Sequence, residues 1–133
     1  MLITRLNPGS VAAPVGIYSH SVRIECADGV WLFVSGQIAQ DPDGELVGIG
    51  DLRAQTEQVF ENLSRILEAN GATFEHVVKV QTYFMTLDDL AGSREVRARY
   101  LPAEPPASTA VQVVALLVPD ALIEVDLAAA VPL

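Results

Sequence analysis

One short stretch, Ile123-Glu124-Val125-Asp126-Leu127, constrains this chain more than any other, because aliphatic and acidic residues alternate along it. Successive side chains of a strand point to opposite faces. The aliphatics therefore enter a core, while Glu124 and Asp126 share the other side. Upstream, Pro105 to Val118 reads as a further apolar strand, with Pro119-Asp120 as the turn between the two. No Lys or Arg follows Arg99, so a site built on these acids must take positive charge from elsewhere.

The preceding sequence supplies strands and two helices. Residues 2–7 predict a short first strand, stopped by Pro8-Gly9. Val22, Ile24 and Cys26 alternate with Arg23 and Glu25, and Asp28-Gly29 offers a two-residue turn into the strand Val30–Val34. In this pattern Cys26 points inward with Val22 and Ile24, as an inert core residue. Asp51 is placed to cap a helix that Asn70-Gly71 ends, with Leu52, Val59, Phe60, Leu63, Ile66 and Leu67 on one stripe. Glu61 and Arg65 are ordered for an i,i+4 pair on its outer face. Phe74 to Met85 predicts a long strand with Val78, Val80, Thr82 and Phe84 on one side. Asp88 or Asp89 then caps a second helix that ends near Tyr100, because Pro102, Pro105 and Pro106 forbid its continuation. Strands, helix, strand, helix, strands imply an α+β domain spanning 1–133: a mostly β sheet with two helices packed on one face.

Half of the 133 residues are hydrophobic, enough for a buried core without disulfides or metals. The formal net charge of −9, with eight scattered Lys and Arg, argues against nucleic acid as a main partner, because phosphate recognition needs clustered cations. One cysteine cannot form an internal disulfide, and two histidines give no zinc spacing. The first residues lack the apolar core of a signal peptide, and no apolar run is long enough for a bilayer. A cytoplasmic protein is the expectation.

Several segments, in order and spacing, resemble the RidA/YjgF family. They are Gly16-Ile17-Tyr18-Ser19, Ser35-Gly36-Gln37-Ile38, Gln55-Thr56 with Asn62-Leu63, Gly71-Ala72, Val77-Val78-Lys79 and Ile123-Glu124-Val125. The resemblance implies a fold similar to trimeric chorismate mutase, and homotrimers with a pocket at each subunit boundary. It implies hydrolysis of reactive imines and enamines to 2-oxo acids and ammonia, without metal or cofactor. In that pattern the glutamate at the position of Glu124 positions or activates water. Tyr18, Ser35 and backbone groups line the small-molecule site, and Gly36 lets the backbone approach a ligand closely.

The sequence departs from the family where an arginine, in Pro-Ala-Arg-Ser, grips the substrate carboxylate. Here the segment is Pro106-Ala107-Ser108-Thr109, and Ser108 stands at that position. The stretch from Ala110 to Glu124 is also one residue longer than the pattern, which suggests a bulge. A guanidinium binds a carboxylate through two parallel hydrogen bonds, whereas a serine offers one neutral hydroxyl. Losing such a charged partner weakens binding by about ten- to a hundredfold, so ordinary 2-imino acids are expected to be poor substrates.

Each candidate also has a plainer reading. Glu124 either faces a pocket, where partial burial would raise its pKa into the range useful for proton exchange with water, or sits in solvent. Tyr18 either plugs the sheet or touches a ligand. Arg97 either replaces the missing cation or joins Arg94 and Arg99 on a solvated helix face. His20 reads as a hydrogen-bonded strand histidine in preference to a proton carrier, and His76 as a surface residue. Two functions therefore stay open: a hydrolase acting on a small imine, enamine or related metabolite, and a non-catalytic trimer that binds a metabolite or regulates a partner.

Overall fold

The computed structural model describes residues 1–133. Its six strands are β1 (Leu2–Leu6), β2 (Ser21–Cys26), β3 (Gly29–Gln37), β4 (Val77–Phe84), β5 (Ala107–Gln112) and β6 (Ile123–Pro132). They form one sheet in the order β1-β2-β3-β6-β4-β5, antiparallel except for the β4–β5 pair. The helices α1 (Leu52–Ala69) and α2 (Leu90–Tyr100) cover one face, as the α+β expectation requires. No helix is long and apolar enough to cross a membrane.

The core lies between α1 and that face. Leu32 and Val34 of β3, Val80 and Phe84 of β4, and Ile123, Val125, Leu127 and Ala129 of β6 meet Val59, Phe60, Leu63, Ile66 and Leu67 of the helix. Each fully buried aliphatic of this kind contributes about 1.5–3 kcal/mol. The Asp51 carboxylate accepts from Ala54 N at 3.0 Å, and Gly71, at φ +72°, carries the chain out of the far end of α1. Asp89 caps α2. The Phe60, Phe74 and Tyr100 rings then tie α2 to α1, with centroids 5.3 to 5.8 Å apart.

Five expectations change in the folded chain. The strands flanking Pro119-Asp120 are not neighbours, because β4 lies between them and β5 pairs with β4 in parallel; the intervening residues form a loop. The β4–β5 register runs without interruption, so β5 holds no bulge, and Asp120 takes φ +68° in the loop that follows. Phe74–His76 forms a 3-10 turn before β4, held by Thr73 N donating to His76 Nδ1 at 3.0 Å, and a register shift at Val77/Lys79 leaves Val78 exposed. Cys26 is half-buried and lies outside the core. Its neighbours in β2, Val22 and Ile24, pair with Phe33 and Trp31 on the face away from the helices. The hairpin pairs Cys26 with Gly29, so its turn residues are Ala27-Asp28, one position earlier than expected.

Gln55 joins α1 to the loop that leads into β6. Its amide is fully buried, donates to Gly48 O at 3.2 Å and Asp120 O at 2.9 Å, and accepts from Leu122 N at 2.7 Å. Gln55→Leu would keep the volume and strand those three backbone groups, each buried unpaired group costing about 1–3 kcal/mol. Urea unfolding of Gln55→Leu should show a loss of about 2–4 kcal/mol; a loss below about 1 would mean that the loop is held by other contacts.

Candidate functional site

Glu124 and Asp126 lie on the face of β6 turned away from the helices, and their register partners on β4 are Tyr83 and Gln81. Gly36 sits beside Glu124 at the end of β3. A Cβ at position 36 would stand 2.8 Å from the Glu124 carboxyl carbon, so a larger residue there would push the carboxyl out of this position. Glu124 lines a recess of about 240 Å³ together with Tyr18, Ser35, Gly36 and Gln37. The loop before β6 adds Leu117 and Val118 to the same wall.

The recess is braced by a small polar network. His20 Nε2 lies 2.6 Å from Ala12 O, and since a carbonyl can only accept, Nε2 carries the proton. Nδ1 is then free to accept from Gln37 Nε2 at 3.1 Å, and that amide also donates to Ser35 O at 3.2 Å. Ser35 Oγ donates to Ser19 O at 2.6 Å. Tyr18 Oη accepts from Val15 N at 3.2 Å, and its ring stands edge-on to the His20 ring with centroids 6.1 Å apart. Tyr18 thus forms a wall of the recess and does not plug the sheet. His20 is a buried, doubly bonded histidine, as its plainer reading expected. Gln37 is the wall residue to which sequence reasoning gave no role, although the Ser-Gly-Gln run marked its position.

No donor of the chain offsets the burial of Glu124. Desolvation raises its pKa above the ordinary glutamate value, and the nearby Asp126 carboxylate raises it further. Asp126 is raised by burial as well, with Tyr83 and Lys79 pulling the other way. Tyr83 responds in turn, its phenol pushed up by burial and by the two acids.

Ser108 and Arg97 lie elsewhere. Ser108 pairs with Val80 on the helix-side face of the sheet's edge strand. There it lines a second recess, of about 380 Å³, with Arg97, Arg94, Ser93 and Gln112. Arg97 Nη2 donates to Ser108 Oγ at 2.7 Å and Nη1 to Thr82 Oγ1 at 3.0 Å. Arg99 instead bonds Glu57 on the surface. The two recesses share no lining residue. The candidate residues therefore fall into two groups: Glu124, Tyr18, Ser35 and Gly36 in one, Arg97 and Ser108 in the other. No group of three or more His, Cys, Asp and Glu side chains converges as a metal site would.

The sign of the pH dependence follows from the two raised carboxyls. Folding increases their proton affinity, so their contribution to stability is full below the ordinary values of 4.5 and 3.8 and is lost as pH rises through the native midpoints. In a carbon-detected NMR titration Glu124 should titrate above 4.5, and Asp126→Asn should lower its midpoint. An unchanged midpoint in that variant would show that the two acids do not interact.

Comparison with known proteins agrees with this architecture. The family model described as endoribonuclease L-PSP matches residues 9–131. A RutC family protein of Pyrococcus abyssi is 42% identical over 114 residues, covering 85% of each chain. The crystal structure of YEO7 from yeast superposes with a TM-score of 0.87 at 31% identity, over 97% of this chain and 98% of that one. RidA from an Antarctic Psychrobacter superposes with a TM-score of 0.82 at 34% identity, over 95% of this chain and 98% of the other. On a match that runs nearly end to end, the chain belongs to the RidA/YjgF family, to which the L-PSP and RutC names also refer.

Proposed function

We propose that this chain, one domain over 1–133, is a cytoplasmic hydrolase that deaminates a small reactive imine or enamine in a pocket shared between protomers of a homotrimer. The observation that carries this reading is the Glu124 carboxyl: half-buried, raised in pKa, without a donor of its own, and facing a recess. Such a group holds a proton more readily than an ordinary glutamate, which suits it to take one from water and return it. Water attacks the C=N carbon as the ionised carboxyl accepts its proton. The carboxyl passes that proton to the nitrogen, then takes the carbinolamine hydroxyl proton and passes it to the same nitrogen, so that the C–N bond breaks, the carbonyl forms and ammonia leaves. One carboxyl can serve both transfers in turn, so neither metal nor organic cofactor is required. Tyr18, Ser35, Gly36 and Gln37 would shape the wall against which the substrate lies.

The disjoint recesses support a site shared between subunits. Glu124 lies on the open face of a central strand, whereas Ser108 and Arg97 lie on the helix side of an edge strand. One small ligand reaches both groups when two protomers supply one each. The open face also displays apolar surface that a second copy would cover, with Trp31 and Phe33 48% and 50% exposed. The ribonuclease activity named in the family description draws less support, since the recess at Glu124 holds no Lys or Arg and its histidine is committed to two internal bonds.

Ser108 favours a second reading. Judged on that position alone, a carboxylate would be held poorly, which fits a non-catalytic trimer that binds a metabolite or regulates a partner. Generating iminopropanoate or iminobutanoate in situ separates the two. The wild type should accelerate decay, and Glu124→Gln should slow the catalysed rate by about a hundredfold or more; no acceleration with any small imine would favour the binding protein. Sedimentation should give three times the 14.2 kDa chain mass, and a monomer would remove the shared pocket.

A further inference from the structure

We infer that Arg97 is the anion-binding residue of this site, presented from α2 in place of the strand arginine, and that the ligand it holds is a carboxylate. The inference rests on the proposed shared pocket for joining Arg97 to Glu124, and on the hydrolytic reading for the identity of the reacting C=N group.

Arg97 is a half-buried cation without a counter-ion. Arg23, Arg53, Arg65 and Arg99 each have a carboxylate within ion-pair distance; Arg5, Arg94 and Arg97 have none, and of these three Arg97 alone is withdrawn from solvent. Its guanidinium instead rests on two neutral hydroxyls, Thr82 Oγ1 behind it and Ser108 Oγ beside it. Burial lowers its pKa, and no acid compensates. A cation removed from water without a partner is costly, and an arriving anion would relieve that cost.

The geometry leaves the guanidinium able to bind one. Of the five N–H bonds of an arginine, Arg97 commits one on Nη1 and one on Nη2. The Nε–H and one hydrogen on each Nη are uncommitted, so three donors remain for the oxygens of a carboxylate. The recess around it contains a second cation, Arg94, and no Asp or Glu. In a chain of net charge −9, that is a local reversal of sign.

Ser108 then has a definite role. An arginine at position 108 would bring a second guanidinium against that of Arg97, and like charges in a partly dry recess repel. Serine supplies the acceptor that holds Arg97 in place. The cation is thus presented from α2, with Ser108 of the edge strand as its hydrogen-bond partner. Ordinary 2-oxo and 2-imino acids accordingly return as the ligand class.

The test is binding of 2-oxobutanoate to the purified full-length protein, measured by calorimetry, with 2-oxobutanamide as the uncharged control. The acid should bind at least tenfold more tightly than the amide. Arg97→Gln should weaken the acid by about ten- to a hundredfold and leave the amide unchanged, while Arg99→Gln, on a surface ion pair, should alter neither. Ser108→Arg should fail to improve binding in the wild type and should restore it in Arg97→Gln. Equal affinity for acid and amide, no binding of the acid, or an Arg97→Gln variant that binds like the wild type would overturn the assignment. If Arg97→Gln does not fold, the Arg97 Nε–H resonance of the wild type decides: it should shift with 2-oxobutanoate and not with the amide, and an unmoved signal rejects the proposal. Glu124→Gln separates the two readings. Acid binding that depends on Arg97, in a protein with no imine hydrolysis, would sink the hydrolase and keep the anion site; hydrolysis indifferent to Arg97 would do the reverse.

Discussion

The register of β6 is the constraint on which both core and site depend. The strand is paired along both edges, with β3 on one side and β4 on the other. Ile123, Val125, Leu127 and Ala129 are buried under α1, so Glu124 and Asp126 can only face the other way. A slip by one residue would place both carboxylates in the core and expose the aliphatics. Burial of several aliphatic side chains at about 1.5–3 kcal/mol each therefore also determines where the acids stand. The neighbouring Gly36 completes the arrangement, since a side chain there would displace the Glu124 carboxyl from its present position.

Helix α1 extends that constraint to the loop before β6. Gln55 holds Asp120 O and Leu122 N on one side and Gly48 O on the other. The loop so held contributes Leu117 and Val118 to the recess around Glu124. Asn62, on the same helix, donates to Ile38 O and Gln40 O at 3.2 and 2.8 Å and fixes the segment that leaves β3. Two buried amides on α1 thus anchor the chain on both sides of the recess. Gln55 is satisfied by backbone alone, and Asn62 by two backbone carbonyls and the Gln58 amide, which makes both specific to this geometry and expensive to exchange for apolar residues.

Local patterns were legible in the sequence, and non-local pairings were not. The alternation in β6, the cap at Asp51, the stripe on α1 and the end of α2 depend on residues near one another in sequence, and each appears where its pattern places it. The β5–β6 connection was misread because a Pro-Asp turn between apolar runs looks the same whether or not the strands pair. Only the insertion of β4 between them decides it. Cys26 was misassigned for a related reason: a strand with apolar residues at alternate positions has a face, but which layer covers that face is set by the helices. Glu124 was readable from its alternation and its family match. The environment of Arg97 was not, because it depends on α2 lying over β4 and β5, where Thr82 and Ser108 are brought together from distant parts of the chain.

Separation of charge within one chain gives the proposed assembly its logic. If Glu124 and Arg97 met inside a single protomer, they would form an ion pair, lowering the pKa of the acid and occupying the guanidinium. Each would then be less available to a ligand. On opposite faces of one sheet they stay apart, and both retain the perturbation that burial imposes: the acid raised, the cation lowered. When two protomers close a pocket between these faces, a carboxylate on the cation and a C=N carbon near the acid can be accommodated by one small molecule. In the proposed trimer the ligand would separate the two groups, each meeting the part of the molecule it suits.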